Sequence, residues 1–197
     1  MAAIITEKFR LHNATQFTES FTEASASVYY LFLGKSSPFT TATSGGSDSS
    51  PPSPADSVED TEYYSWDSML GAKKITSSDI TRAIVRRNFS NGTTYDMYEH
   101  NVSSSNTSTS GASNIYDATF YFRTSDNRVY KILDNNGGTA YSGSEPTSTS
   151  NSAFELGGYT LKYMYTISAS NSNKFLTADF MPVETDSTVS AAATDGA

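Results

Sequence analysis

The chain has 197 residues, enough for one large domain or two small ones with a substantial core. It carries 13 Lys and Arg against 21 Asp and Glu, a formal charge of −8. Because phosphate groups require a basic surface, this charge argues against nucleic acid or an anionic membrane as a partner. The chain has no cysteine, which excludes disulfides, zinc–thiolate sites, iron–sulfur clusters and thiol catalysis.

The N-terminal third begins with a segment over residues 4–21 that has partly helical spacing, with Phe17 and Phe21 four positions apart. Its first residues do not resemble a signal peptide, and no apolar run approaches the roughly 20 residues that span a bilayer. We therefore expect a soluble chain. Residues 28–33 are all apolar or aromatic and predict a strand that is buried on both faces.

The next segment predicts a long loop over residues 36–58, because it contains four prolines and the pair Gly45-Gly46. A helix is predicted at about 57–70, with Ser57 as its N-cap and acidic residues in its first turns. Its apolar face contains Tyr63, Trp66, Met69 and Leu70.

The second half of the chain predicts strands and polar loops. Residues 118–123 and 128–133 form a predicted hairpin. In residues 159–167 the odd positions are all apolar or aromatic and alternate with Thr160, Lys162 and Thr166, which is typical of a strand with one buried face. The serine-, threonine- and asparagine-rich runs at 102–113 and 142–153 predict loops.

Three motifs resemble chemical sites but lack an essential residue. Gly34-Lys35-Ser36 resembles the end of a phosphate-binding loop, but Tyr29 occupies the position of the required glycine. The residues from Asp134 to Glu145 have calcium-loop spacing but no glycine at the sixth position, so a hairpin turn explains them better. The two histidines, His12 and His100, lie in polar settings without a nucleophile motif. We expect no catalytic, cofactor-binding or metal-binding residues.

The pair Arg86-Arg87 is the only adjacent pair of arginines in the sequence. Two readings stay open at this point. These side chains bind an acidic partner surface, or they bind carboxylates of this same chain.

Several blocks, in this order, resemble the baseplate wedge proteins of T-even-type contractile-tailed bacteriophages. They are residues 6–10 (TEKFR), 30–39 (YLFLGKSSPF), 54–58 (PADSV), 84–89 (IVRRNF), 129–134 (VYKILD) and 159–167 (YTLKYMYTI). The resemblance extends over about residues 6–183.

The resemblance implies a mainly β protein with a β-sandwich-like domain, a few short helices and long loops. It implies that residues 1–90 are the N-terminal part of this domain, and that a β-rich second domain with some α+β elements is inserted at 91–183. A flexible tail would follow at 184–197. The family forms a dimer in each baseplate wedge, contacts other wedge proteins and has no catalytic role. By this resemblance the chain is a virion tail protein assembled in the host cytoplasm, without a cofactor.

We expect a few aromatic and arginine side chains to provide most of the interface energy. The candidates are Phe39, Trp66, Arg86, Arg87 and Phe89. For Trp66, packing in the core through its helix face is an equal alternative. The alternative function is a receptor- or glycan-binding module of a tail or virion surface, since exposed aromatic rings beside Asn and Asp loops suit sugar stacking. An envelope hydrolase is disfavoured, because no acid–base pair can be nominated.

Overall fold

A computed structural model describes residues 7–34, 38–39, 46–51 and 67–194. The chain divides into two compact units, Met1–Ile80 and Thr81–Ala197, called here the first and the second unit. This division falls ten residues before the boundary expected at residue 90. The assignment of an interrupted and an inserted domain stays a prediction.

The described residues of the first unit include the helix α1 (Glu7–Glu19) and two antiparallel strands, β1 (Tyr29–Gly34) and β2 (Met69–Ile75). The helix α1 confirms the helical character predicted for part of residues 4–21. Phe17 and Phe21 pack edge to face, with 5.1 Å between ring centroids, and both contact the Tyr29 ring. A 3-10 turn over Ser77–Asp79 follows β2.

Two expectations for the first unit are wrong. The helix expected at about 57–70 ends earlier, because Asp67 is helical whereas Met69 and Leu70 begin β2, where pairing with β1 overrides their local propensity. Residues 57–66 of that helix lie outside the described residues. The strand at 28–33 exists as β1, but most of it is exposed and it is not buried on both faces. A continuous apolar run indicates that a strand will be covered, but not that its own chain covers it.

The second unit contains most of the described strands, which confirms a mainly β fold. Its elements are β3 (Ala83–Val85), β4 (Tyr121–Arg123), β5 (Arg128–Asp134), β6 (Phe154–Leu156), β7 (Tyr159–Thr166), α2 (Ala169–Phe175), β8 (Phe180–Pro182) and α3 (Ser187–Thr194). A four-stranded antiparallel sheet has the order β4-β5-β7-β6, and β3 pairs with β8 in a separate two-stranded sheet. The predicted hairpin is β4–β5.

The four-stranded sheet has an apolar cluster on each face. The alternation of β7 gives the burial expected for Tyr159, Leu161 and Tyr163, which share one face. Tyr165 is also buried, but it lies beyond an irregularity in the pairing with β5 and belongs to the cluster on the other face. The first cluster contains Tyr95, Phe122, Tyr130, Ile132, Tyr141, Tyr159, Leu161 and Tyr163. The second contains Tyr121, Val129, Tyr165, Ile167 and Met181. The apolar side chains of this unit are therefore largely used to stabilise its own fold.

Buried tyrosines fix the loops to the sheet. Several of these rings pack in the first cluster while their hydroxyls donate to loop carbonyls, as in Tyr130 Oη to Ser148 O at 2.8 Å and Tyr141 Oη to Ser144 O at 2.9 Å. Burial raises the pKa of Tyr130 to about 12, so its hydroxyl stays a donor at all physiological pH values. The loop at 142–153, although polar, thus has a defined path.

The segment at 184–197, expected to be a flexible tail, contains the helix α3. Asp186 Oδ1 accepts hydrogen bonds from the backbone N–H groups of Thr188 and Val189 at 3.0 and 3.2 Å, and so caps the helix. Val189 packs against the first cluster. An acidic N-cap followed by a run of alanines is a helix signal. The small and polar residues of this segment suggested a flexible tail instead.

Candidate interaction surfaces

The β1–β2 sheet presents large apolar side chains to solvent. Tyr30, Leu31, Phe32 and Leu33 of β1 are 65, 58, 48 and 69% exposed, and Leu70 of β2 is 67% exposed. None of these positions is charged. Successive residues of a strand point to opposite faces, so Tyr30 and Phe32 lie on one face of β1 and Leu31 and Leu33 on the other. Single exposed apolar residues are ordinary, but large apolar side chains exposed on both faces of a sheet favour covering by another molecule.

Two of the predicted interface residues are Phe39 and Trp66, of which the structure describes only Phe39. The backbone N–H of Phe39 donates to Asp48 Oδ1 at 2.7 Å, and its side chain is half-buried. Trp66 lies outside the described residues. The choice between interface and core for Trp66 therefore stays a prediction.

Arg87 and Phe89 direct their side chains into the second unit. Arg87 Nη2 donates to the carbonyls of Tyr116 and Asp117 at 3.2 and 2.8 Å, and its guanidinium lies 5.6 Å from the Tyr121 ring centroid. The Phe89 ring packs edge to face on Phe122, with 5.2 Å between centroids. The sequence left two interpretations open for the Arg86-Arg87 pair, binding to an acidic partner or to carboxylates of the same chain. Arg87 does neither, because it binds backbone carbonyls of its own chain.

We expect Arg87→Met to lower the free energy of unfolding of the second unit by about 2 kcal/mol. The substitution keeps much of the apolar stem but removes two charge-assisted hydrogen bonds and a cation–π contact. Urea unfolding of the full chain, followed by near-ultraviolet circular dichroism of the buried tyrosines, measures the loss. Arg82→Met is the matched control, since Arg82 is exposed. Equal stability of the two variants would contradict the role assigned to Arg87.

Arg86 belongs to a different arrangement, which also includes Asn88 and Arg123. Arg86 Nε donates to Asn88 Oδ1 at 3.1 Å, and Arg123 Nη1 donates to the same oxygen at 3.0 Å. Arg86 Nη1 also donates to Thr177 O at 2.7 Å, and Arg123 Nε donates to Asn127 Oδ1 at 2.8 Å. Two guanidinium groups thus converge on one neutral amide oxygen. We call these three residues the arginine pair site.

The arginine pair site has an excess of positive charge. Among the described residues, the ion pairs are Lys73–Asp79 and Arg128–Asp126, and neither arginine of the site takes part in one. Burial and the charge of Arg86 lower the pKa of Arg123, although the charge of Glu145 opposes this. The Glu145 carboxylate accepts three hydrogen bonds from Ser125. The nearby acid is therefore already used to hold a turn.

Sequence reasoning found Arg86 but missed Arg123 and the exposure of β1. Arg123 is 35 positions from Asn88 in the chain, and a short parallel bridge between the two residues brings them together. The composition does contain a signal for β1. The four consecutive large apolar residues of β1, Tyr30–Leu33, are part of a block that resembles the family. This run indicates that the strand is covered, but no local pattern shows whether its own chain or a partner covers it.

The described ranges contain no group of three or more His, Cys, Asp or Glu residues placed to hold a metal ion. None of their helices combines the length and the apolar character that a bilayer span requires. The features that stand out are two surfaces suited to binding other proteins. The fold and these surfaces define a mainly β protein of the structural, interaction-mediating class.

The family follows from a comparison with known protein families. The family described as bacteriophage T4 Gp8, Phage-Gp8, matches residues 3–136, which is more than half of the chain. The chain belongs to this family of T4-type baseplate wedge proteins. Its role is structural and its place is the virion tail. A search of curated proteins found no match.

Proposed function

We propose that this chain works as a dimeric building block of the baseplate wedge. It binds a second copy of itself and neighbouring wedge subunits, it is assembled in the host cytoplasm, and it performs no reaction of its own. The family supports the structural role over the receptor- or glycan-binding alternative. Assembly through protein contacts then accounts for both interaction surfaces.

The exposed apolar surface of the β1–β2 sheet is the observation that carries this proposal. A two-stranded sheet alone in water is at best marginally stable, so it needs an apolar surface against which to pack. Burying the large apolar side chains on one face of this sheet contributes roughly 1.5–3 kcal/mol for each of them. That gain is the ordinary driving force for a lasting interface, not for a transient one.

A second copy of the chain fits this surface. Among the described strands, β1 pairs with β2 on one edge only. The other edge of β1 therefore offers backbone donors and acceptors. A twofold axis beside β1 would bring Leu31 and Leu33 of both copies together.

Substitution of β1 tests the dimer. We expect the wild-type chain to sediment as a dimer and the Leu31→Glu/Leu33→Glu variant to sediment as a monomer, with a dissociation constant raised by about 100-fold or more. Leu133→Glu is the matched control, because Leu133 is an exposed leucine, 38% accessible, of the second unit. A wild-type chain that stays monomeric, or a double variant that dimerises as the wild type does, would refute the proposed dimer contact.

This proposal gives the predicted interface residues two different roles. Phe39, Trp66 and Arg86 are proposed contacts with neighbouring wedge subunits. Arg87 and Phe89 support that surface from inside the second unit, because their side chains are engaged there. Their substitution is expected to affect assembly through stability.

A further inference from the structure

We infer that the arginine pair site is a receptor for a single side-chain carboxylate, Asp or Glu, of a neighbouring protein chain. The inference rests on the proposed function in that the carboxylate belongs to another tail subunit. It adds the chemical class of the partner group and the residues that recognise it, Arg86 and Arg123. Asn88 holds the two guanidinium groups in place until the carboxylate binds.

The geometry supports a carboxylate. Asn88 Oδ1 accepts from Arg86 at 3.1 Å and from Arg123 at 3.0 Å, so the two guanidinium groups lie on either side of one oxygen atom. Each guanidinium has five N–H donors, and the hydrogen bonds to Asn88, Thr177 and Asn127 use only two of these on each arginine. The remaining donors match the two oxygens of a carboxylate.

The electrostatics point the same way. Two neighbouring cations repel each other, and a neutral amide between them reduces that cost only in part. In a chain with 21 acidic residues, the described ion pairs do not include either arginine. The arrangement is therefore unfavourable in the isolated chain, and an incoming anion relieves it. This is the charge pattern of a site whose counter-ion is supplied by a partner.

A protein carboxylate fits better than a nucleic-acid phosphate. A polynucleotide binds through many phosphates at once and needs an extended basic surface, which two arginines on a chain of net charge −8 do not provide. A single carboxylate on a folded neighbour interacts mainly with the two nearest guanidinium groups, because charges beyond about 10 Å are screened at physiological salt.

The substitution Asn88→Asp provides a sharp test, because it places a carboxylate of nearly the same shape between the two arginines. The isolated variant should be at least as stable as the wild type, since its own carboxylate now neutralises the pair. Its affinity for an external carboxylate should fall by about tenfold or more. A purely structural role for the site predicts the change in stability without the change in affinity.

The first experiment uses the full chain with hexaglutamate as the probe, followed by nuclear magnetic resonance of the arginine Nε–H groups. We expect hexaglutamate to shift the signals of Arg86 and Arg123 but not that of the exposed Arg82, and Asn88→Asp or Arg123→Gln to abolish the shifts. Equal shifts at Arg82, no shift at the pair, or tighter binding of inorganic phosphate or a thymidine hexanucleotide would overturn the inference.

The second experiment measures incorporation of the chain into tails, with variant and wild-type chains in competition. Loss of Asn88→Asp from the tails, with Arg82→Gln incorporated normally, supports the inference. Equal incorporation of Asn88→Asp and wild type overturns it and leaves the proposed function intact. If the wild-type chain itself is not incorporated, the proposed function fails, and the hexaglutamate experiment still decides whether the site binds a carboxylate.

Discussion

Gly157→Ala is expected to destabilise the second unit by about 4 kcal/mol, more than alanine at any other glycine that the structure describes. Gly157 and Gly158 form the two-residue turn between β6 and β7, with φ of +63° and +85°. A Cβ on Gly157 would lie 2.5 Å from Cζ of Tyr141, whose ring is fully buried. The steric clash adds to the cost of a left-handed backbone for alanine.

Gly92→Ala is the matched control, because Gly92 has a φ of +79° and a Cβ added there would meet nothing within 4 Å. It should lose only about 1 kcal/mol, the backbone cost alone. Urea unfolding of both variants, followed by tyrosine circular dichroism, gives the difference. Equal losses would mean that the Tyr141 ring does not lie against the turn between β6 and β7.

Asp96→Asn is expected to lower the free energy of unfolding of the second unit by about 3 kcal/mol at pH 7. The Asp96 side chain is fully buried and accepts hydrogen bonds from the backbone N–H and hydroxyl of both Ser110 and Thr119, at 2.6–3.0 Å. An amide group in its place would bring an N–H donor against the N–H of one of them. Asp96 thus holds the segment 108–119, in which Arg87 binds the carbonyls of Tyr116 and Asp117.

The stability lost in this variant depends on pH in a defined direction. Burial alone would raise the pKa of Asp96, but the hydrogen bonds from Thr119 and Ser110 outweigh it and lower the pKa below 3.8. The contribution of a lowered pKa is complete above the unfolded value and is lost as pH falls through the folded value. The gap between wild type and Asp96→Asn should therefore narrow below about pH 4. A constant gap would contradict this account, and exposed Asp134→Asn serves as the control.

Local patterns in the sequence predicted the elements whose hydrogen-bonded partners are near in the chain. The alternation of Tyr159, Leu161 and Tyr163 identified β7 with its buried face, and the turn after β4 identified the β4–β5 hairpin. The pairing of β3 with β8 joins residues almost a hundred positions apart, and no local pattern encodes it. The start of β2 was mistaken for helix because apolar spacing alone does not separate short helices from short strands.

The candidate sites were only partly predictable for a similar reason. Arg86 stood out in the sequence because a second arginine follows it, but only the fold separates the inward role of Arg87 from the position of Arg86 beside Arg123. The exposure of β1 also depends on the fold, since an apolar strand has the same pattern whichever molecule covers it. Long-range contacts, not composition, decide which residues are available to partners.

The central claim is that this chain acts by binding its neighbours in a phage tail baseplate. Electron cryo-microscopy of purified tails from the phage that encodes it tests this claim most directly. We predict density for the chain in the baseplate, with the β1–β2 sheet against a second copy and an acidic side chain of another subunit between Arg86 and Arg123. Absence of the chain from purified tails, or a β1–β2 sheet facing solvent in the assembled particle, would contradict the account.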